Sequence, residues 1–237
     1  MKLIRFSAFA MLVTLTALSA CSKEDPDAIS MSEVNVGAKT FISKDSVEYF
    51  GVKMFSNLIW ATSNVGATNP EESGSYYAWG ETETKTTYDL VSYKWINDFN
   101  EVTKYADSHS VLALSDDAAN VALGGNWHIP EPGDFNALVY FSDISFGKVN
   151  GVPGFLFVSK REGYEGNSIF LPFSGQMDLS RIKMGNDYGF YWTNQVSQTE
   201  PREASCLLMQ HSDNDRHAVQ PMSRIQGLTI RPVALEN

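Results

Sequence analysis

Cysteine is nearly absent: the 237 residues hold two, too few to staple a scaffold with disulfides. Positive charge is short, with 18 Lys and Arg against 28 Asp and Glu and a formal charge of −10. No basic patch interrupts that deficit, so a nucleic-acid partner is not expected. No apolar run reaches the ~20 residues that a bilayer-spanning helix needs. Internal repeats are missing. So are a Gly-x-Ser-x-Gly elbow, a His-Glu-x-x-His pair and a phosphate-cradling loop, which leaves an enzyme without a signature. What is present is ordinary globular composition, 43% hydrophobic with five Trp, which excludes collagen, coiled coil and disorder. The length suits one compact domain with a tail.

The tail comes first. Lys2 and Arg5 precede an apolar run from Phe6 to Ala20, the layout of a signal peptide over residues 1–20. The run ends Leu18-Ser19-Ala20-Cys21, which looks like a bacterial lipobox. In such signals the cysteine thiol receives a diacylglycerol, and cleavage makes Cys21 the first mature residue. Each buried CH2 contributes ~0.8 kcal/mol, so two or three acyl chains hold a protein on a membrane essentially permanently. Ser22-Lys23-Glu24-Asp25-Pro26-Asp27 resembles the lysine-plus-acid signal that sends lipoproteins of Bacteroidetes to the outer face of the outer membrane. Residues 21–44 then read as a lipidated flexible tether, and 45–237 as the folded domain. Loss of the two cations Lys2 and Arg5 takes the charge from −10 to −12. Cys206 is left as the one thiol, in the apolar run Ala204–Met209, where a small buried hydrophobe is expected.

The domain reads as α+β. Strands are expected at Val47–Phe55, Leu58–Ala61, Gly154–Ser159, Ser168–Phe173, Gly189–Thr193, Ala204–Gln210 and Leu228–Val233. Thr62 to Glu83 reads as a long ordered loop, because Tyr76, Tyr77 and Trp79 are too many aromatics for a linker. One helix is expected from an N-cap at Ser115 to Leu123, closing at Gly124-Gly125. A second spans Asp134 to Phe141, with Phe135, Leu138 and Val139 on one face. Strands do not alternate with helices in βαβ fashion, so an antiparallel sheet is expected.

Seven segments recur in a familiar order: Trp60-Ala-Thr-Ser-Asn-Val-Gly-Ala67, Pro70–Thr82 with its Ser-Tyr-Tyr-Ala-Trp-Gly-Glu, Asp116-Asp-Ala-Ala119, Gly124-Gly-Asn-Trp-His-Ile-Pro130, Ser168–Gly175, Gly189-Phe-Tyr-Trp-Thr193 and Ile230-Arg-Pro-Val233. Together they resemble the Fibrobacter succinogenes major paralogous domain proteins, abundant surface lipoproteins of Bacteroides and relatives, over residues 45–235. The resemblance implies a C-type-lectin-like fold, related to the formylglycine-generating enzymes, with two helices, a central antiparallel sheet and long irregular loops. At one place the chain departs from the family's Gly-Gly-Trp-Arg-(Met/Leu)-Pro-Thr: His128 replaces the arginine, Glu131 the threonine, and Asp134 stands for glutamate. A five-donor fork is thereby exchanged for an imidazole, and any role of that arginine does not carry over.

Four tryptophans, Trp60, Trp79, Trp127 and Trp192, are candidates for a sugar platform. Trp79 with Glu81, and Trp192 with Asn194, pair an aromatic face with hydrogen-bonding neighbours and make the candidate ligand-binding set. The competing expectation, favoured by their place within structural segments, is core packing. Glu131-Pro132-Gly133 is similar to the Glu-Pro-Asn sugar tripeptide of calcium-dependent lectins but lacks the amide, so a proline-stiffened helix start is expected. His211, Asp213, Asp215 and His217 fall at every second position, as metal ligands on one strand face would, although Asn214 and the acids favour a loop. Neither calcium nor another metal is called for, and no cofactor is expected. The paired acids Glu71-Glu72 and Asp116-Asp117 point apart and make no glycosidase.

The function expected is that of a non-catalytic surface lipoprotein that binds a glycan or a surface protein, in adhesion or capture. The alternatives are a structural or accessory subunit of a pilus tip or glycan-uptake complex, and an unusual hydrolase using Glu81, Asp134 or His128.

Overall fold

The computed structural model describes residues 25–42 and 48–236. The signal peptide, Cys21 and the tether residues to Glu24 lie outside the described residues. Among the described residues the chain forms antiparallel sheets and two α-helices. A five-stranded sheet joins β1 (Lys39–Ile42), β2 (Glu48–Lys53), β3 (Leu58–Ala61), β4 (Trp127–His128) and β13 (Val233–Leu235) in the order β1-β2-β3-β13-β4. A three-stranded sheet holds β5 (Ser142–Val149), β6 (Val152–Ser159) and β7 (Ser168–Pro172). Short strands β8 (Gln176–Asp178) and β9 (Arg181–Lys183) pair with each other. The last sheet orders β10 (Tyr188–Val196), β11 (Glu203–Gln210) and β12 (Arg216–Ser223). Strand material is therefore spread over four sheets instead of the single central sheet expected.

The period-two rule explains the layering. On β10 and β11, Tyr191, Leu207 and Met209 enter one core cluster, while their neighbours Trp192, Cys206 and Leu208 enter another on the opposite face. On β3, Leu58 and Trp60 join the first cluster, and Ile59 and Ala61 join a third with Tyr49 and Trp127. The runs Phe190–Trp192, Cys206–Met209 and Leu58–Ala61 are apolar at every position because both faces are covered. Helix α2 (Pro132–Phe141) lays Phe135 and Leu138 into the first cluster. It begins with Pro132 in its first turn and a reciprocal box in which Asp134 accepts from the Glu131 backbone at 2.8 Å.

Helix α1 (Ala118–Leu123) is capped by Asp117, not by Ser115, which lies in the 3-10 turn Leu114–Asp116 before it. The Asp117 carboxylate accepts from the backbone of Asn120 at 3.0 Å and of Ile129 at 2.8 Å. That second, tertiary bond decides the cap. Gly124 ends the helix at φ 69, as its position promised. Leu228 to Pro232, expected as a strand, is instead a buried thread between layers. Its backbone bonds in turn to Tyr77, Trp192, Val65 and Ala61, so no ladder forms and β13 starts only at Val233.

Two arginines lock this arrangement without a carboxylate. Arg231, on the thread, is fully buried and donates to the Ala61 carbonyl at 3.0 Å, the Phe170 carbonyl at 3.0 Å and Asn64 Oδ1 at 2.9 Å. Arg224 donates to the Tyr93 hydroxyl at 2.8 Å and to the carbonyls of Tyr105, Pro201 and Lys104, with its guanidinium 4.5 Å above the Trp79 ring. These bonds help to order the long segment between β3 and α1, whose strand pairing among the described residues is limited to isolated bridges.

The flexible tether expected over 21–44 is corrected over its described residues, 25–42. Residues 25–36 form an arm docked across the β5–β6–β7 sheet, and 39–42 form β1, paired to β2. The arm carries too few apolar residues to show a period. Its order comes from partners distant in the chain, Lys148 and Ser168.

Candidate functional site

The structure brings Trp79 and Trp192 together, and it buries them. Trp79 is 1% exposed and Trp192 is 0%. The Trp79 indole N–H donates to the Thr193 carbonyl at 2.8 Å, and the Trp192 indole N–H donates to the Tyr77 carbonyl at 2.7 Å. Each ring thus staples the other's segment, loop to strand and strand to loop. Neither offers a face to a sugar, which corrects the platform expectation. Trp60 and Trp127 are likewise buried. Glu81 is also committed: one oxygen accepts from the Lys94 backbone at 2.7 Å and the other pairs with Lys85 at 2.8 Å. Asn194 is buried, with its backbone bonded to Pro130 and Leu112.

His211, Asp213, Asp215 and His217 do not share a strand face. Residues 211–215 form the bend between β11 and β12, where alternation has no meaning. His211 Nδ1 bonds to Asp215 at 2.7 Å, and its ring stacks on Phe146 with centroids 3.7 Å apart. His217 turns its ring against the edge of Phe155 at 4.4 Å, and desolvation there holds its pKa below the ordinary imidazole value. Among the described residues no group of three or more His, Cys, Asp or Glu is arranged to hold a metal.

Elsewhere the titratable groups do structural duty. Asp116 takes Lys104 and the Tyr105 hydroxyl. Burial raises Asp117 and Asp134 above the usual carboxylate range, with backbone N–H donors pulling the other way. His128 bonds within its own turn, Nδ1 to the Asn126 carbonyl at 2.9 Å. Cys206 is buried, and loss of water pushes its thiol up and out of reactive range.

One cleft has a different character. It lies where the first turn of α2 meets β10–β12 and encloses about 380 Å3. Four carboxamides line it, Asn136, Gln195, Gln198 and Gln220, with three hydroxyls, Ser197, Thr199 and Ser205. Pro132, Val219 and Pro221 supply its apolar patches. Ser205, Val219 and Pro221 reach it because they fall on the α2-facing side of β11 and β12 in register. Two of the polar groups are held in place: Gln195 donates to the His109 carbonyl at 3.4 Å, and Gln220 accepts from Arg216 at 3.2 Å. Asp, Glu, Lys, Arg and His are all missing from its described lining. Such a surface can donate and accept many neutral hydrogen bonds, but it offers no proton donor or base near neutral pH.

A second cleft of similar size, between Glu81 and Lys94, mixes charges of both signs, with Glu81 paired to Lys85. The neutral cleft escapes sequence reading because its residues come from four elements. Gln195 adjoins the candidate Asn194, and Pro132 lies in the Glu131-Pro132-Gly133 tripeptide, read from sequence as a helix start.

No protein-family model, no curated protein and no solved structure matches this chain.

Proposed function

We propose that the protein is a surface lipoprotein whose domain, of the C-type-lectin-like kind implied by its resemblance to the Fibrobacter succinogenes major paralogous domain proteins, binds a neutral glycan without transforming it. In this reading Cys21 carries the lipid, the anchor lies in the outer membrane, and the domain faces the cell exterior. The neutral cleft beside α2 carries the proposal. Sugar hydroxyls both donate and accept, and carboxamides answer both roles from one planar group. The prolines and Val219 give aliphatic contact in place of an aromatic platform. Its volume sits at the small end of the roughly 300–1,000 Å3 common to ligand pockets, and its polarity limits affinity. A Kd on the order of 1 mM, about −4.1 kcal/mol, is expected for a single site. Display of many copies on one surface then raises avidity.

The test is titration of the protein with neutral oligosaccharides by NMR, after a glycan array has chosen them. Asn136→Ala combined with Gln198→Ala removes two hydrogen bonds of about 0.5–1.5 kcal/mol each and should weaken binding about tenfold. Binding that ignores the double variant, or an array silent for neutral sugars, defeats the assignment.

A second reading, an accessory subunit of a surface assembly, draws on one observation. Val91 is 96% exposed and Phe99 83%, and Leu90, Leu179 and Ile182 are exposed too; Leu90 and Val91 line one surface hollow with Ile96. The Tyr88–Leu179 bridge joins these loops. Exposed apolar side chains on loops so joined suit a protein contact. Under that reading Val91→Asp with Phe99→Asp abolishes co-purification of a partner and leaves sugar binding intact.

A further inference from the structure

The N-terminal arm is stitched to the domain at both ends of its described length. At its start, the Asp25 and Asp27 carboxylates lie 2.9 Å and 3.5 Å from Lys148 Nζ. The Ile29 N–H donates to the Lys148 carbonyl at 2.8 Å, and the Lys148 N–H donates to the Asp27 carbonyl at 2.7 Å, so the arm adds to the β5 edge as a parallel strand would. Ile29 sits directly on Gly147, where a Cβ would come within 2.5 Å of its side chain. The chain then crosses to β7. Val34 is buried against Val149, Leu156 and Phe170; the Ser168 N–H donates to the Val36 carbonyl and the Ser168 hydroxyl accepts from the Val36 N–H, both at 3.0 Å.

We infer that this arm makes the β5 edge at Lys148 the membrane-facing side of the protein and holds it against the bilayer surface. The inference rests on the lipoprotein reading, in which Cys21 is acylated. Only Ser22, Lys23 and Glu24 separate that cysteine from the docked Asp25. Four Cα steps span at most about 14 Å. A free tether from 21 to 44 reaches about 80 Å and leaves the domain to tumble. The occupant of this face is a phospholipid headgroup layer, as the length of chain between anchor and arm requires. Asp25, Asp27 and Glu71, itself bonded to Asn150, outnumber Lys148 there. The hold therefore comes from the acyl chains and the stitched arm, whose backbone bonds and buried Val34 persist when salt screens the Lys148 pairs, and not from attraction to anionic lipids.

The experiment uses the lipidated full chain in vesicles with an acceptor dye on the headgroups and a donor dye at Ser145→Cys, an exposed position on β5. Buried Cys206 stays unlabelled. Ile29→Asp with Lys148→Glu undocks the arm. A separate insertion of twenty Gly and Ser residues after Glu24 leaves the arm docked and adds an r.m.s. reach of about 25 Å. Energy transfer should be high in the wild type, unchanged by salt, and lower by about twofold in both variants. The insertion keeps the test meaningful if the undocking variant does not fold. Acylated wild type that transfers no better than the insertion variant overturns the orientation alone. Wild type that takes up no labelled palmitate overturns the anchor, and the orientation with it.

Discussion

Replacing Arg231 by Met removes a cation and three hydrogen bonds from the middle of the molecule while nearly keeping its volume. The Ala61 and Phe170 carbonyls and Asn64 Oδ1 lose their donor in a place water does not reach. A buried acceptor left unpaired costs about 1–3 kcal/mol, so three cost roughly 3–9 kcal/mol. Against this stands relief from burying an ion, several kcal/mol, whose strain shows in a guanidinium pKa pulled down to about 10 by desolvation. The net expectation is a loss of about 3 kcal/mol, or a Tm drop of roughly 6–12 °C for a domain of this size. Arg231→Lys should be no milder. It keeps the charge to be desolvated, yet one ammonium cannot span three acceptors that a fork reaches in two directions. Urea unfolding followed by tryptophan fluorescence measures both. A loss under about 0.5 kcal/mol for Met, or full stability for Lys, refutes the reasoning that carbonyls hold this arginine for stability.

The reciprocal tryptophan staples give a second test: Trp192→Phe loses the bond to Tyr77 and should cost about 1–3 kcal/mol in the same assay, with glycan titrations unchanged. His217 supplies pH dependence. Its folded pKa lies below the unfolded value of 6.5, so the unfolded chain takes up the proton first and stability falls as pH drops below about 6.5. Asp117 and Asp134, raised in the fold, act in the opposite sense, so the difference between wild type and His217→Phe isolates the histidine: the variant's urea midpoint should fall less between pH 7 and pH 5. Cys206 should resist iodoacetamide in the native protein and react only on unfolding; rapid native labelling contradicts its burial.

Local pattern sufficed where the chemistry was local. Leu58–Ala61 reads as a strand because four consecutive apolar residues are bounded by polar ones, and the structure places β3 on the same residues. Phe135 and Leu138 behind a proline announce α2. Legibility ends where a partner is distant. Ile29 and Val34 look like stray apolar residues in a polar leader until Gly147 and Val149 supply a floor for them. β12 hides behind a charged start and Pro221, tolerated because it is an edge strand. Trp79 beside Glu81 has the composition of a sugar site, but composition does not say which side of the loop meets water. The neutral cleft is least legible of all: Asn136, Gln198 and Gln220 are each unremarkable surface amides, and only the crossing of α2 over the β10–β12 sheet makes them neighbours. Arg231 leaves a trace, a lone cation in the apolar run from Leu228 to Val233, which signals a buried fork held by carbonyls.

That choice of partner has a further consequence. Carbonyl oxygens neither titrate nor attract counterions. The Tyr93 phenol that meets Arg224 is driven by desolvation far above neutrality, and Arg231 keeps its proton until about pH 10. The two central fastenings therefore work alike in dilute buffer and in brine, and alike in acid and in mild alkali. The middle of the protein stays closed through changes of salt and pH that loosen its surface ion pairs.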